Sequence, residues 1–178
     1  MRILVTLFTI GSLQVSWTQL SGINLSNALV LAQMENDEDR YTIEVCLTEL
    51  FTNANIKTLP SLNVLKTGSP ATLLASDSLM QVVKQKGIDT YVLVSVRGYD
   101  KKFRPGQCKD DFQTALGVAN LYPIYREEIV SVSFEYLFYR NGQCLGSDVV
   151  KCGNVSDRDA VLKKFRKAMT KHIYKYWL

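Results

Sequence analysis

Apolar strand-like runs alternate with helix-like segments along this chain, and this alternation constrains the fold more than any other feature of the sequence. Residues 27–32 and 56–65 are runs of the kind that form strands, and residues 91–96 are nearly all apolar, as in a central strand covered on both faces. Helical patterns follow capping residues at Asn36 and Ser76. This order of elements, in which three strands are separated by two helices, predicts two right-handed crossovers between parallel strands.

The second half of the sequence predicts a β-hairpin. Residues 129–139 alternate strictly, with large apolar side chains from Val130 to Phe138 on one face and Ser131, Ser133 and Glu135 on the other. Asn141-Gly142 follows them and is a strong hairpin signal, because both residues tolerate positive φ. A two-residue turn predicts a set of cross-strand neighbours, namely Phe138 with Leu145, Phe134 with Val149, Val132 with Lys151, Tyr139 with Cys144 and Ser131 with Cys152. This register keeps the large apolar side chains on one face of the hairpin. It also places Glu135 opposite Asp148 on the other face, at a small electrostatic cost.

These patterns together predict a single α/β domain over residues 24–178. We expect a mixed five-stranded sheet in the order 2-1-3-4-5, built from two βαβ crossovers and the hairpin, in a three-layer or two-layer sandwich. Pro60 places the second strand at an edge. A C-terminal helix beginning at Ser156 closes the domain. Its predicted apolar stripe consists of Leu162, Phe165, Met169, Ile173 and Tyr176.

The first 18 residues have the layout of a secretory signal peptide, with Arg2 beside the initiating Met and a mostly apolar run after it. That run is shorter than the roughly 20 apolar residues of a membrane-spanning helix. None of the four cysteines stands at its end, where a lipoprotein would carry its lipid. We therefore expect an exported, soluble protein, periplasmic or secreted, which is not a lipoprotein and has no spanning segment after cleavage. Export also argues against nucleic acid as a partner.

An oxidising compartment permits disulfides, and spacing narrows the choice among the four cysteines. Cys144 and Cys152 are eight residues apart on one predicted strand, about 26 Å at about 3.3 Å per residue, so they cannot bond to each other. The long segment 98–123 leads from the third strand towards the edge where Cys152 ends the fifth. We therefore predict a Cys108–Cys152 disulfide and a buried thiol at Cys46. The spacings and the single histidine disfavour a zinc site.

No pattern in the chain specifies a catalytic chemistry or a cofactor. A glycine-rich phosphate loop is missing after the first strand, and a Ser-His-Asp arrangement would have to use His172, the single histidine, which we expect to be structural or exposed to solvent. The long segment 98–123 leaves the carboxyl end of a parallel strand, where open α/β sheets bind ligands. Its candidate contact residues are Arg97, Tyr99, Asp100, Arg104, Phe112 and Tyr122. The simpler alternative is a loop fastened by Cys108 that covers the sheet edge.

The stretch LMQVVKQKGIDTYVLV at positions 79–94 and the order of elements around it resemble a group of small bacterial envelope domains. These include the amino-terminal domain of the Tol translocation protein, the periplasmic domain of the curli secretion channel and auxiliary components of envelope transporters. The resemblance implies a role in contacts with protein or the cell envelope, without catalytic residues or cofactors. The rival hypothesis is a secreted small-ligand binder or hydrolase that uses the 98–123 loop.

Overall fold

The computed structural model of the protein describes residues 23–66, 68–108 and 110–178, so the predicted signal peptide lies outside the described residues. The strands are β1 (Asn27–Gln33), β2 (Lys57–Pro60), β3 (Thr90–Tyr99), β4 (Ser131–Arg140) and β5 (Gln143–Gly153). The α-helices are α1 (Asp37–Asn53), α2 (Asp77–Gln85), α3 (Phe112–Leu116) and α4 (Arg158–His172). Short 3₁₀ turns cover Ser61–Asn63 and Ala71–Ala75, and a π-helical turn, Ile173–Trp177, continues α4.

The five strands form one mixed sheet in the order β2-β1-β3-β4-β5, which confirms the predicted topology. β1 is parallel to β2 and β3, whereas β4 is antiparallel to β3 and β5. β2 is an edge strand, as predicted, but it ends at Pro60 and does not reach residue 65. The proline has no N–H for a ladder hydrogen bond, and the chain turns into a 3₁₀ segment directly after it.

Helices cover both faces of the sheet, so the fold is a three-layer sandwich. On one face α1 and α4 pack against alternate side chains of the strands, including Val30, Val92 and Phe134. On the other face α2, α3 and the Ala71–Ala75 turn pack against the intervening side chains, including Leu29 and Leu93. Both faces of the two inner parallel strands are therefore buried, as their apolar runs predict.

The sequence predicts that the C-terminal helix begins at Ser156, but the residue that caps α4 is one position later. The N-cap is Asp157, whose carboxylate accepts a hydrogen bond from Ala160 N–H at 2.7 Å. Three members of the predicted apolar stripe, Phe165, Met169 and Ile173, are buried against the sheet. Val161 and Trp177 complete the buried stripe, and the predicted members Leu162 and Tyr176 are only partly buried.

A β-bulge in the hairpin changes its register. Next to the turn, Tyr139 lies opposite Cys144, as predicted. The register then shifts, because Phe138 lies opposite Gly146 and Leu145 is an extra residue on β5. Gly146 has φ +154°, a backbone conformation that residues with a side chain rarely adopt.

Beyond the bulge every predicted cross-strand pair is wrong by one residue. The observed pairs there include Phe134 with Val150, Val132 with Cys152 and Ser131 with Gly153. The displacement also places Glu135 opposite Val149, so the like-charged pair that the unshifted register gives does not form.

The disulfide joins Cys108 to Cys144, with the two Cα atoms 6.1 Å apart, so the predicted Cys108–Cys152 pair is wrong. The bulge is the physical reason. It leaves Cys144 on the face that α2 and α3 cover, where Cys108 also lies, and turns Cys152 to the opposite face, beneath α1 and α4. Cys152 is a buried thiol, and so is Cys46, as expected.

Candidate functional site

The six predicted contact residues do not form one surface. Arg97 pairs with Glu135 at 3.4 Å on an exposed part of β3. Phe112 is buried between the rings of Tyr91 and Tyr139, with ring centroids 4.7 and 5.3 Å away. Phe112 is therefore a core residue of α3.

Asp100 holds the backbone where β3 ends. Its Oδ1 accepts hydrogen bonds from the N–H groups of Val130 and Ser131, at 2.9 and 2.8 Å. These bonds lower the pKa of the Asp100 carboxyl, because they favour its charged form. The carboxylate connects the end of β3 to the start of β4, which is a structural role.

Tyr99 and Tyr122 lie together at the carboxyl end of β3. Their ring centroids are 6.3 Å apart in an edge-on arrangement, and the guanidinium of Arg126 lies 4.3 Å from the Tyr99 ring centroid. The Tyr99 hydroxyl donates a hydrogen bond to the carbonyl of Pro123, and burial raises the pKa of Tyr99 to about 12. Tyr99 thus anchors the segment before Ile124, and the Tyr122 ring is the exposed member of the pair.

A cavity of 260 Å³ opens near these tyrosines, between the start of α1 and the start of α4. Its polar groups are already paired. Asp39, which is buried, accepts hydrogen bonds from Arg158 Nε–H at 2.7 Å and Ile124 N–H at 3.2 Å. Arg158 also pairs with Glu38 at 3.1 Å. The arrangement joins α1, α4 and the segment at Ile124, and leaves no unpaired charge for a ligand.

Arg104 lines a second cavity, of 410 Å³, which we call the edge groove. One wall is the loop after β3, with Lys102, Phe103, Arg104 and Pro105. The other wall is formed by β5, an edge strand of the sheet, and by the end of α4, with Asp148, Val149, Lys151, His172 and Tyr176. Of the six predicted residues, Arg104 alone lines this groove.

Three attachments fix the loop wall of the edge groove. A Cβ on Gly98, whose φ is +151°, would lie 2.7 Å from Phe103 Cζ, so the phenyl ring rests directly on the β3 backbone. The Ser147 hydroxyl donates a hydrogen bond to the Gly106 carbonyl at 2.6 Å. The Cys108 disulfide then fastens the loop to β5. The loop wall is therefore held in place without a ligand.

His172 and Asp148 form the floor of the edge groove. Asp148 is buried, and its Oδ2 lies 2.6 Å from Nε2 of His172. The same oxygen accepts a hydrogen bond from Trp177 Nε1–H at 2.9 Å. Asp148 Oδ1 accepts the N–H of Val149 at 2.7 Å. Because the carboxylate can only accept, Nε2 carries the hydrogen of this pair. His172 therefore has a structural partner, as expected of it from the sequence.

The cations of the edge groove are unpaired. Within the described ranges, none of Lys102, Arg104 and Lys151 lies within 4 Å of a carboxylate oxygen. The other six arginines of the described part each have an ion pair or an aromatic ring as a partner, namely Arg40, Arg97, Arg126, Arg140, Arg158 and Arg166. The groove thus concentrates positive charge that the fold itself does not use.

Sequence reasoning misses most of the edge groove. It assigns Asp148 and Lys151 only to the hairpin, and it places Asp148 on the opposite face of the sheet. A buried acidic residue in an apolar strand is a signal of a polar partner, and the single histidine of the chain could have been proposed as that partner.

Neither a membrane-spanning helix nor a metal site is found within residues 23–66, 68–108 and 110–178. No helix there is long and apolar enough to cross a membrane. No group of histidine, cysteine and acidic residues in these ranges could hold a metal ion.

No protein-family model matches this sequence, and no curated protein matches it either. Among solved structures, the chain is similar to the lipoprotein GNA1162 from Neisseria meningitidis, with 16% identity and a TM-score of 0.46 over 84% of this chain and 98% of that chain. It is also similar to a PelC dodecamer from Paraburkholderia phytofirmans, with 8% identity and a TM-score of 0.45 over 89% of this chain and 94% of that chain. Similarity at these values carries no information on what this chain binds.

Proposed function

We propose that this protein is an exported domain that acts by binding a protein or another envelope component through the edge groove. The observation that carries the proposal is the unpaired positive charge of Lys102 and Arg104, on a loop wall that is already fixed in place, and of Lys151 on the facing wall of β5. A preformed wall lowers the entropy cost of binding, because the ligand need not order the backbone of the loop.

Two features support export. The segment of residues 1–18 has the composition of a cleaved signal peptide. The Cys108–Cys144 disulfide fastens a loop of the fold, and such bonds persist in oxidising compartments such as the periplasm and the extracellular space.

The residues of the edge groove favour binding over nucleophilic catalysis. Among the described residues that line it, none is a serine, a threonine or a cysteine. The two thiols of the described part lie in the core, and burial raises the pKa of Cys46 and brings that of Cys152 to about 12, so both are held as unreactive thiols.

Hydrolysis is the second candidate function, and the His172–Asp148 pair favours it. An aspartate that orients a histidine is the arrangement of a general base, and here the base would have to activate water. Turnover of a nitrophenyl ester that is lost in His172→Gln would support this candidate. Identical rates for the two proteins would remove it.

A photo-crosslinking amino acid at position 102 tests the binding proposal in the envelope fraction of the source cells. We expect adducts from position 102 and none from the exposed position 41 on α1. The adducts should disappear when Arg104→Glu and Lys151→Glu are added. They should persist with Lys164→Glu and Lys167→Glu, which reverse two exposed charges on α4. Lack of adducts at position 102, or their survival in the Arg104 and Lys151 variant, would contradict the proposal.

A further inference from the structure

We infer that the edge groove binds a phosphate group, and this inference rests on the binding role proposed above. The ligand is a phosphate monoester or diester, or free phosphate, whose oxygens lie among Lys102, Arg104 and Lys151. The inference does not depend on the compartment in which the protein works.

The charge balance of the groove favours an anion. Three cations line it without an ion-pair partner in the described part of the chain, and its one carboxylate belongs to Asp148. That carboxylate is held below the groove by hydrogen bonds from His172, Trp177 and Val149, and its single charge is outnumbered by the three cations. The field inside the groove is therefore positive.

The number and kind of the cations favour phosphate over a carboxylate ligand. A guanidinium binds two oxygens of one oxyanion at once, and a lysine ammonium adds a point charge to a further oxygen. A carboxylate has only two oxygens and a single charge, so it balances less of the charge of one arginine and two lysines than a phosphate does. Phosphate has more acceptor oxygens and, as a monoester, more charge.

The surroundings of these cations strengthen their interaction with an anion. Phe103, Pro105, Val149 and Tyr176 form apolar parts of the walls and are all partly buried. Tyr176 is itself held, because its ring centroid lies 4.6 Å from that of His172 and the ammonium of Lys175 lies 4.8 Å from it. Lys102, Arg104 and Lys151 are themselves exposed, but charges beside such low-dielectric walls attract an anion more strongly than lysines on an open helix face do.

Titration of the folded protein with inorganic phosphate tests the inference, with calorimetry and ³¹P NMR as readouts. We expect saturable binding that weakens about tenfold or more in Arg104→Ala/Lys151→Ala, since each removed group makes charge-assisted hydrogen bonds. Lys164→Ala/Lys167→Ala removes the same charge from an exposed part of α4 and should bind as the wild type does. Equal weakening in both variants, or equal affinity for acetate and phosphate, would overturn the inference. The thermal midpoint of each variant checks that it is folded.

Vesicles distinguish the two sources of phosphate. Cosedimentation with vesicles that contain phosphatidic acid or phosphatidylglycerol, displaced by inorganic phosphate and lost in Arg104→Ala/Lys151→Ala, assigns the group to a lipid headgroup. Binding of inorganic phosphate without cosedimentation assigns it to a soluble compound. If neither phosphate nor vesicles bind while the adducts at position 102 form, this inference fails and the proposed function stands. If phosphate binds while no adducts form, the phosphate site stands and the proposed binding of an envelope partner fails.

Discussion

Removing the Cys108–Cys144 disulfide should cost this protein a large part of its stability. The two cysteines are 36 residues apart in sequence. A cross-link over that span removes loop-closure entropy from the unfolded chain worth about 4 kcal/mol at 25 °C. The Ser147–Gly106 hydrogen bond also holds the loop in the folded protein, but it does not restrain the unfolded chain, so it leaves this free energy unchanged.

Urea unfolding of oxidised and reduced protein measures the effect. We expect the free energies of unfolding of the two wild-type forms to differ by about 4 kcal/mol. The difference should vanish in Cys108→Ala/Cys144→Ala. It should persist in Cys152→Ala, even though that variant loses about 1 kcal/mol through the small cavity left in the core.

Two results would refute this reasoning. Loss of the difference in Cys152→Ala, with its retention in Cys144→Ala, would show that the bond joins Cys108 to Cys152. A difference under about 1 kcal/mol in the wild type would show that the unfolded chain gains little freedom on reduction. A non-reduced digest analysed by mass spectrometry identifies the bonded pair directly.

Three further predictions concern the core, a helix cap and the loop wall. Trp177→Ala should lower the free energy of unfolding by about 3–5 kcal/mol in a denaturant titration, because the indole is fully buried and donates to Asp148; a loss under about 1 kcal/mol would contradict this packing. Backbone N–H groups of α4 lower the pKa of the Asp157 carboxyl, so its stabilisation is present above the unfolded pKa of about 3.9 and is lost as the pH falls through the folded pKa. The stability gap between wild type and Asp157→Asn, which keeps an acceptor, should therefore shrink from about pH 6 to about pH 2, and a constant gap would argue against this origin. Gly98→Ala should destabilise the protein by about 1–3 kcal/mol, and Phe103→Ala should relieve part of that cost in a double-mutant cycle, since the new Cβ meets the phenyl ring; strict additivity would exclude the contact.

The sheet could be predicted from the sequence because its signals are local. The apolar run of β3, the edge proline of β2 and the Asn141-Gly142 turn each depend on a few neighbouring residues, and together they determine the strand order. The stripe of α4 is predicted correctly at Phe165, Met169 and Ile173, where the helical period is regular. At the two ends the predicted residues Leu162 and Tyr176 pack against the core but are only partly buried. Val161 is the fully buried residue at the start of the helix, and Trp177 is the fully buried one where the helix passes into a π-helical turn.

The candidate site could not be predicted in the same way, because it depends on one inserted residue. Leu145 is the extra residue of the bulge, and neither the alternation of β4 nor the turn sequence indicates it. Without it, Asp148 would lie opposite Glu135, on the face covered by α2 and α3, far from His172 and Trp177. With it, the carboxylate lies opposite Tyr136 and faces the end of α4.

The same insertion determines which cysteine meets Cys108. Cys144 precedes the bulge and keeps its face, whereas Cys152 follows it and changes face. The disulfide that fastens the loop and the aspartate that engages His172 therefore lie on opposite sides of one register shift. The loop wall and the floor of the edge groove are brought to the same sheet edge because the strand between them changes register.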